Sequence, residues 1–552
     1  MVPLIWRGPW IGARAGTFNT EAGSCKLRQL QSWEHRIKKY WVRGWVLGAL
    51  LCCGGPAALC AQASAYVPLD DVAYSYVDAL MARGQLRELS VLERPFTERA
   101  MRSAIDSART GEPSVVVSSY LDALYSAVEK YAVRPGNSDS ATAQEFHARG
   151  TGDVYVTAQT SGRRELMLAD SVNGVRPGGA IRLVMAGGPV VGFARVLIDS
   201  RLNVDPEFAG RKDRKINGRT EDGYVAGQWK YGALSFGRVG RNWGPPSDYG
   251  LMLGNYAYTY DHLYGVIGTD KIHWSTVIAR LDDIVPATGP SIERYFSIHR
   301  LALHLGKWEL AGSESYLYGG VGRGFEPSLA NPFNIYGLSW RNEQKEGNLG
   351  LGGEVALRTD RIGTFAGQLF IDDLQIDHSC NPNCKQPSSY GVTLTADGLT
   401  LSGDQRWFAA YTRVSNLAYN NKNPEEHYDV FGVGLGRGFS DYDEARIGAD
   451  LALVPRTPLK FYVAHRRQGE GSYLLPFPVP ADYASTPAIF SGVVTGVTRI
   501  GVSGATKLRD AEISGDVGIN HATNDQHVTG ATRTAFEGRV RVAIEPRWSV
   551  NF

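Results

Sequence analysis

Several groups of residues in this chain have types and spacing able to do chemistry. Leu281-Asp282-Asp283 and Ile371-Asp372-Asp373 each close a strand-like run. Paired carboxylates are the machinery of glycoside hydrolysis, and Glu314 is a further carboxylate of this kind. The competing assignment, polar strand ends that meet water or a cation, is preferred. No Gly-x-Ser-x-Gly or His-Glu-x-x-His pattern accompanies them, so no catalytic residue is assigned and no enzyme is expected. His378-Ser379-Cys380-Asn381-Pro382-Asn383-Cys384 offers a histidine and two thiols to a metal. In an exported loop the same spacing predicts a Cys380–Cys384 disulfide instead, with no metal and no cofactor. Arg211-Lys212-Asp213-Arg214-Lys215 reads as a solvated basic loop. The most distinctive stretch runs from Phe236 through Gly237-Arg238-Val239-Gly240-Arg241-Asn242-Trp243-Gly244-Pro245-Pro246, then from Asp248 to Ala257. It carries two arginines, a tryptophan and two tyrosines, broken by Gly and Pro. A segment folded into a lumen has this character.

The elements around these residues are strands. In Ala535–Phe552 the even positions Phe536, Val540, Val542, Ile544, Trp548, Val550 and Phe552 are apolar. The odd positions include Glu537, Arg539, Arg541, Glu545 and Arg547. That is the period of a strand. The same alternation holds from about Phe146 onward. Leu349, Leu351, Val355 and Leu357 oppose Asn348, Glu354 and Arg358. Phe365, Leu369 and Ile371 oppose Thr364, Gln368 and Asp372. Ile447, Ala449, Leu451 and Leu453 oppose Arg446, Gly448, Asp450 and Ala452. Charges on the second face of so many strands are hard to house in a dry sandwich core. They suit the lumen of a transmembrane barrel whose apolar face meets lipid.

Composition agrees. Glycine makes up 64 of the 552 residues, well above the usual ~7%, and aromatics reach 11% with 27 Tyr and 12 Trp. A net charge of +2 gives no reason to expect nucleic acid. No stretch beyond residue 65 is long and apolar enough for a membrane-crossing helix. Short connections such as Gly187-Gly188-Pro189, Gly306-Lys307 and Pro455-Arg456-Thr457-Pro458 alternate with long polar ones at 204–220, 376–388, 417–426 and 468–488. This asymmetry predicts an all-β transmembrane barrel over 141–552, of about 18 antiparallel strands. Pro546 is awkward in a strand that must be paired on both sides.

Residues 1–63 are expected to be an N-terminal extension and a secretory signal peptide. His35-Arg36-Ile37-Lys38-Lys39 and Arg43 form its basic region, Gly44 to Leu59 its apolar run, and Ala61-Gln62-Ala63 its cleavage site. Of six cysteines, only Cys380 and Cys384 lie beyond residue 60. Residues 64–140 predict a small helical bundle. Asp70-Asp71 caps a helix carrying Val72, Tyr76 and Leu80 that stops at Gly84. A second helix begins near Arg94-Pro95-Phe96-Thr97 with Met101, Ile105 and Ala108 on one stripe. A third starts at about Ser114 with Leu121, Leu124, Tyr125 and Val128. Such short helices bury little alone and must dock on something larger.

At Gly-Arg-x-x-Arg-x-Trp-Gly-Pro (237–245) followed by Leu-x-Leu-x-Asn-x-Ala (251–257), the sequence resembles the Wzi family of outer-membrane capsule-assembly proteins. Pro68-Leu69-Asp70 to Leu86, Leu92-Glu93-Arg94-Pro95-Phe96 and the Asp372-Asp373 pair are similar to that family as well. The resemblance covers roughly residues 66–552. It implies a barrel of about 18 strands with the helical bundle of 64–140 at its periplasmic mouth, and a lectin-like, non-enzymatic role on capsular or extracellular polysaccharide in the outer membrane. Sugars need aromatic faces for stacking and Asp, Asn, Arg or Glu for their hydroxyls, and a guanidinium fork matches a uronate carboxylate. The candidate ligand contacts are Arg238, Arg241, Trp243, Asp248, Asn255, Asp282, Asp283, Glu314, Asp372 and Asp373. Ion pairs that close the lumen are the alternative use of the same residues. The expected partners are polysaccharide, outer-membrane lipid and periplasmic export machinery, with no nucleic acid. The rival functions are a porin-like channel for small solutes and an outer-membrane hydrolase.

Overall fold

The alternation that starts near Phe146 becomes a closed antiparallel barrel of 18 strands. The computed structural model describes residues 63–133, 146–168, 170–245, 249–343, 345–359, 362–373, 386–545 and 550–551. The signal peptide, Asp248, Cys380 and Cys384, Pro546 and Phe552 lie outside the described residues. In chain order the strands are β1 His147–Gln159, β2 Gly174–Gly187, β3 Val190–Asp199, β4 Asn217–Trp229, β5 Gly232–Arg238, β6 Asp261–Gly268, β7 Ile272–Arg280, β8 Ile292–Leu305 and β9 Trp308–Val321. They continue as β10 Asn348–Arg358, β11 Thr364–Asp373, β12 Ser389–Ser402, β13 Gln405–Val414, β14 Tyr442–Val454, β15 Thr457–Gln468, β16 Thr495–Leu508, β17 Ala511–Thr523 and β18 Thr532–Ile544. Each pairs with its sequence neighbour, and β18 closes on β1 from Val154↔Ile544 to Gln159↔Arg539. Pairing resumes at Val550–Asn551, opposite Gly150 and Arg149. Closure removes every sheet edge, which a strand in lipid requires.

The two faces divide as the period predicts. Phe536 is 62% exposed on the outside while its neighbour Glu537 is 3% exposed on the inside. Val154, Val225, Leu263, Leu369, Ile447, Ile500 and Ile519 extend the exposed apolar outer wall, and Arg182, Arg195, Asp222, Arg300, Glu354, Arg466 and Arg499 are buried. Short turns gather at one end, and the loops 160–173, 200–216, 239–260 and 415–441 at the other. Gly306 takes φ +66° in one of the short turns, where a two-residue hairpin demands a left-handed residue.

The predicted helices form: α1 Ala73–Met81, α2 Glu98–Arg109 and α3 Val115–Val128. Asp71 Oδ1 accepts from Ala73 N at 2.9 Å, Thr97 from Ala100 N at 3.2 Å and Ser114 from Val117 N at 3.3 Å. These side chains satisfy amides that a helix start leaves free. Tyr76, Leu80, Ile105, Leu121 and Leu124 pack in one core with inward residues of the wall, among them Val184, Phe193, Tyr224 and Ala505. The helices therefore dock inside the short-turn end. Tyr76 Oη donates to the carbonyl of Arg456 at 2.8 Å, and Arg83 forks onto Asp450 at 2.9 and 3.1 Å.

Residues 239–245 and 249–257 also lie within the barrel. Asn242 and Trp243 form a short ladder with Arg94 and Glu93. Gly254 N donates to the carbonyl of Leu435 at 2.8 Å, which ties the segment to the inward-folded loop 415–441. Trp243, Leu251, Met252, Leu253, Tyr419 and Tyr428 are buried against Phe296 and Phe370 of the wall. Loop 322–347 instead folds down the outside. Its helices α4 Pro327–Ala330 and α5 Tyr336–Asn342 cover Tyr316 and Tyr318, whose register places them on the outer face.

Candidate functional site

The segment that carries most of the predicted contacts turns out to be largely scaffold. Arg241 is buried with its guanidinium 3.4 Å from the Tyr264 ring centroid and donates to His262 Nε2 at 3.0 Å. Trp243 is sealed in the plug core at 1% exposure. Its carbonyl accepts from Gln368 Nε2 at 2.9 Å. Arg238 lies at the end of β5, forked onto Asp261 at 2.6 and 3.1 Å. Asn255 lines the luminal cavity.

The carboxylates hold loops. Asp372 accepts from Tyr419 N at 2.7 Å and from Asn348 Nδ2 at 3.2 Å. Asp373 closes β11 opposite Ser389. Asp282 accepts from Phe431 N at 2.8 Å, and Asp283 pairs with Arg280 at 2.9 Å. Glu314 is not in the lumen at all. Arg300 faces inward opposite Ser313, so Glu314 and its partner His299 face outward. There Glu314 accepts the amides of Tyr336 and Gly337, both at 2.7 Å, at the start of α5. The predicted residues thus do not converge on one place. Among the described residues no cluster of His, Cys, Asp and Glu could hold a metal.

The cavity that does exist has a volume of about 790 Å3, within the ~300–1,000 Å3 of small-molecule sites. Asp70, Asp71 and α1 floor it, β1–β4 and β14–β18 wall it, and 249–259 and 437–439 lean over it. Eleven arginines and no lysine line it. Most are held by carboxylates. Arg195 lies between Asp222 at 2.7 Å and Asp70 at 2.8 Å. Arg182 and Arg541 share Asp153, and Arg499 reaches Asp516 at 2.6 Å. Aromatic faces interleave with the guanidinium groups. Tyr258 is sandwiched between Arg164 at 3.8 Å and Arg219 at 4.4 Å, Arg466 lies 4.1 Å over Tyr442, and Arg541 lies 4.1 Å over Tyr155. Cation–π packing of this kind fixes a long side chain that would otherwise lose rotamer entropy on binding. The arrangement can stack a flat apolar face and bind hydroxyls and carboxylates around it.

Beside the cavity, the plug is bolted to the wall. Glu93 accepts from Arg300 and from His273, both at 2.9 Å. Burial alone would raise the Glu93 carboxyl. The His273 hydrogen bond and the charge of Arg300 outweigh it and hold the group down to about 2. Lys130 pairs with Asp71 at 2.8 Å and Glu512 at 2.6 Å, and joins α3 to β17.

Sequence reasoning missed Arg164, Arg182, Arg195, Arg201, Arg466, Arg499 and Arg541. Their common signal is inward parity on strands or a place in the loops just above them, and it needs strand bounds to be read.

No protein-family model and no curated protein matches the sequence. Among solved structures the chain is similar to Wzi, an outer membrane protein involved in group 1 capsule assembly in Escherichia coli and described as a carbohydrate-binding β-barrel. The identity is 12%, the match covers 87% of this chain and 99% of that one, and the TM-score is 0.58. OpdK from Pseudomonas aeruginosa (11% identity, 74% and 99% covered, TM-score 0.41) and OccAB4 from Acinetobacter baumannii (8%, 75% and 100%, 0.42) are also similar. The likeness is one of fold. A closed barrel with an apolar outer wall is built for a membrane, and the chain is an outer-membrane protein.

Proposed function

We propose that the chain is a non-enzymatic polysaccharide-binding protein of the Wzi type, which holds capsular or extracellular polysaccharide at the cell surface. The observation that carries this reading is the plugged lumen. Helices and two inward-folded segments occupy it beside a cavity of about 790 Å3, lined by arginines and tyrosines. Such a fill obstructs passive passage of solutes, whereas a binding surface gains rigidity from it. The likeness to a carbohydrate-binding barrel supports the same reading. Asp372 and Asp282, carboxylates of the kind hydrolysis needs, instead accept backbone amides.

The test is a deletion strain assayed for cell-associated against shed polysaccharide, with the purified protein measured in a planar bilayer. Loss of the attached fraction and little or no conductance are expected. Polysaccharide that stays attached, together with large stable currents, overturns the reading in favour of a channel.

A further inference from the structure

The arginines of the cavity are not equivalent. Arg182, Arg195, Arg499 and Arg541 each face a carboxylate. Arg201 and Arg539 form no ion pair with a described residue, although Asp516, taken by Arg499, lies opposite Arg539 in the register. Arg201 lies in the 3-10 turn Ser200–Asn203 after β3, where its own amide bonds Asp199 at 2.7 Å. Its guanidinium has no hydrogen bond or ion pair to any described residue. Arg539 projects inward from β18. One of its terminal nitrogens donates to the carbonyl of Arg163, and its Nε is buried without a partner.

Both side chains line the same cavity. Each lies within the other's electrostatic reach, with Arg164 as a third positive neighbour and Asp205 as the opposing charge. Asp205 is already spent: Tyr258 Oη at 2.5 Å, Arg164 at 3.3 Å and the amide of Glu207 at 2.9 Å occupy its oxygens. Like charges on one partly desolvated wall repel. An oxyanion between them removes that cost. A guanidinium presents a planar fork that fits a carboxylate through parallel hydrogen bonds, where lysine would offer only a point charge. Tyr249, from the segment that leans over the cavity, lines the same space.

We propose that Arg201 and Arg539 form an anion subsite that takes the carboxylate of an acidic sugar, a uronate, within the bound polysaccharide. This rests on the reading of the lumen as a polysaccharide site.

The probes are the polysaccharide extracted from the surface of the source bacterium and the same polymer after chemical reduction of its carboxyl groups. Binding to the full-length protein in detergent is followed by calorimetry, and glucuronate and glucose are compared for their effect on thermal unfolding. Carboxyl reduction is expected to weaken binding at least about tenfold, which is the loss of about 1.4 kcal/mol. The double variant Arg201→Gln/Arg539→Gln should bind the native polymer as weakly as the unmodified protein binds the reduced one. Glucuronate, but not glucose, should raise the melting temperature of the wild type and not of the variant. Retention of the heat-modifiable gel shift of a folded barrel shows that the variant has folded. Equal binding of native and reduced polymer overturns the subsite and leaves the lectin reading standing. No binding of either polymer overturns both.

Discussion

Arg300 of β8 reaches from the barrel wall to Glu93 of the plug at 2.9 Å, while its other nitrogens grip Glu354 of β10 at 2.7 and 3.1 Å. One buried guanidinium thus holds two carboxylates from different parts of the chain. Removing it leaves Glu93 and the buried Glu354 without their arginine, at a cost of about 3–5 kcal/mol. Arg300→Leu is therefore expected to lower the melting temperature and to let the plug swing. Bilayer recordings should show intermittent openings absent from the wild type. A variant as silent and as stable as the wild type would show that the plug is held elsewhere.

The same latch sets a pH dependence. Glu93 is held at about 2 against an ordinary 4.5. Its folded value lies below its unfolded one, so its contribution is complete above about 4.5 and is lost as pH falls from there toward 2. The amount at stake is on the order of 3 kcal/mol. Arg300, His273, Arg241 and Tyr264 surround the carboxylate, as do Glu354 and the rest of the wall. Melting curves of the wild type should drop through that window, and those of Glu93→Gln should drop less. Parallel curves would remove Glu93 from the account.

Much of the fold was legible because it rests on local periods. Thr97 and Ser114 announce their helices, and the parity of Glu354 and Gln368 assigns their faces correctly, since a strand allows only two. The site was not legible for a physical reason. Arg201 and Arg539 come to line one cavity only when β18 closes on β1, and no local pattern encodes that closure. Glu314 is instructive. Glu309 and Glu314 are five residues apart on β9, so they have opposite parity and one of them must face outward. Glu309 takes the amide of Val91 inside at 2.9 Å, which leaves Glu314 outside. The plug residues Arg241 and Trp243 were recognised as luminal, but Gly and Pro rhythm does not distinguish a side chain that packs from one that binds.

Gly436 offers a steric test of the plug. A Cβ there would lie 2.0 Å from the carbonyl oxygen of Leu251. The backbones of segment 249–254 and loop 415–441 touch at this point, and the oxygen cannot move alone. Gly436→Ala should separate the two segments at a cost of about 1–3 kcal/mol. Limited proteolysis is expected to cut within 249–257 faster, with the barrel's gel shift unchanged. Unaltered digestion would place the contact outside the forces that hold the plug.

The outer strap makes the last prediction. Phe333 stacks on Trp274, which lies beside His299, and Tyr336 covers His299 at a centroid distance of 4.5 Å. Glu314 holds the first amides of α5, an arrangement worth about 1 kcal/mol at a helix start. The strap also exposes Phe333 at 68%, Leu338 at 54% and Trp340 at 49%, beside an outer wall that faces lipid. In water such a cluster would be a liability, but against acyl chains it is at home. An environment-sensitive dye on Leu338→Cys should therefore emit as in an apolar medium when the protein is in lipid vesicles. Adding Glu314→Ala should shift that emission toward the aqueous value, because the strap loses its fastening while the barrel stays closed. An aqueous spectrum from Leu338→Cys alone would put the strap outside the bilayer.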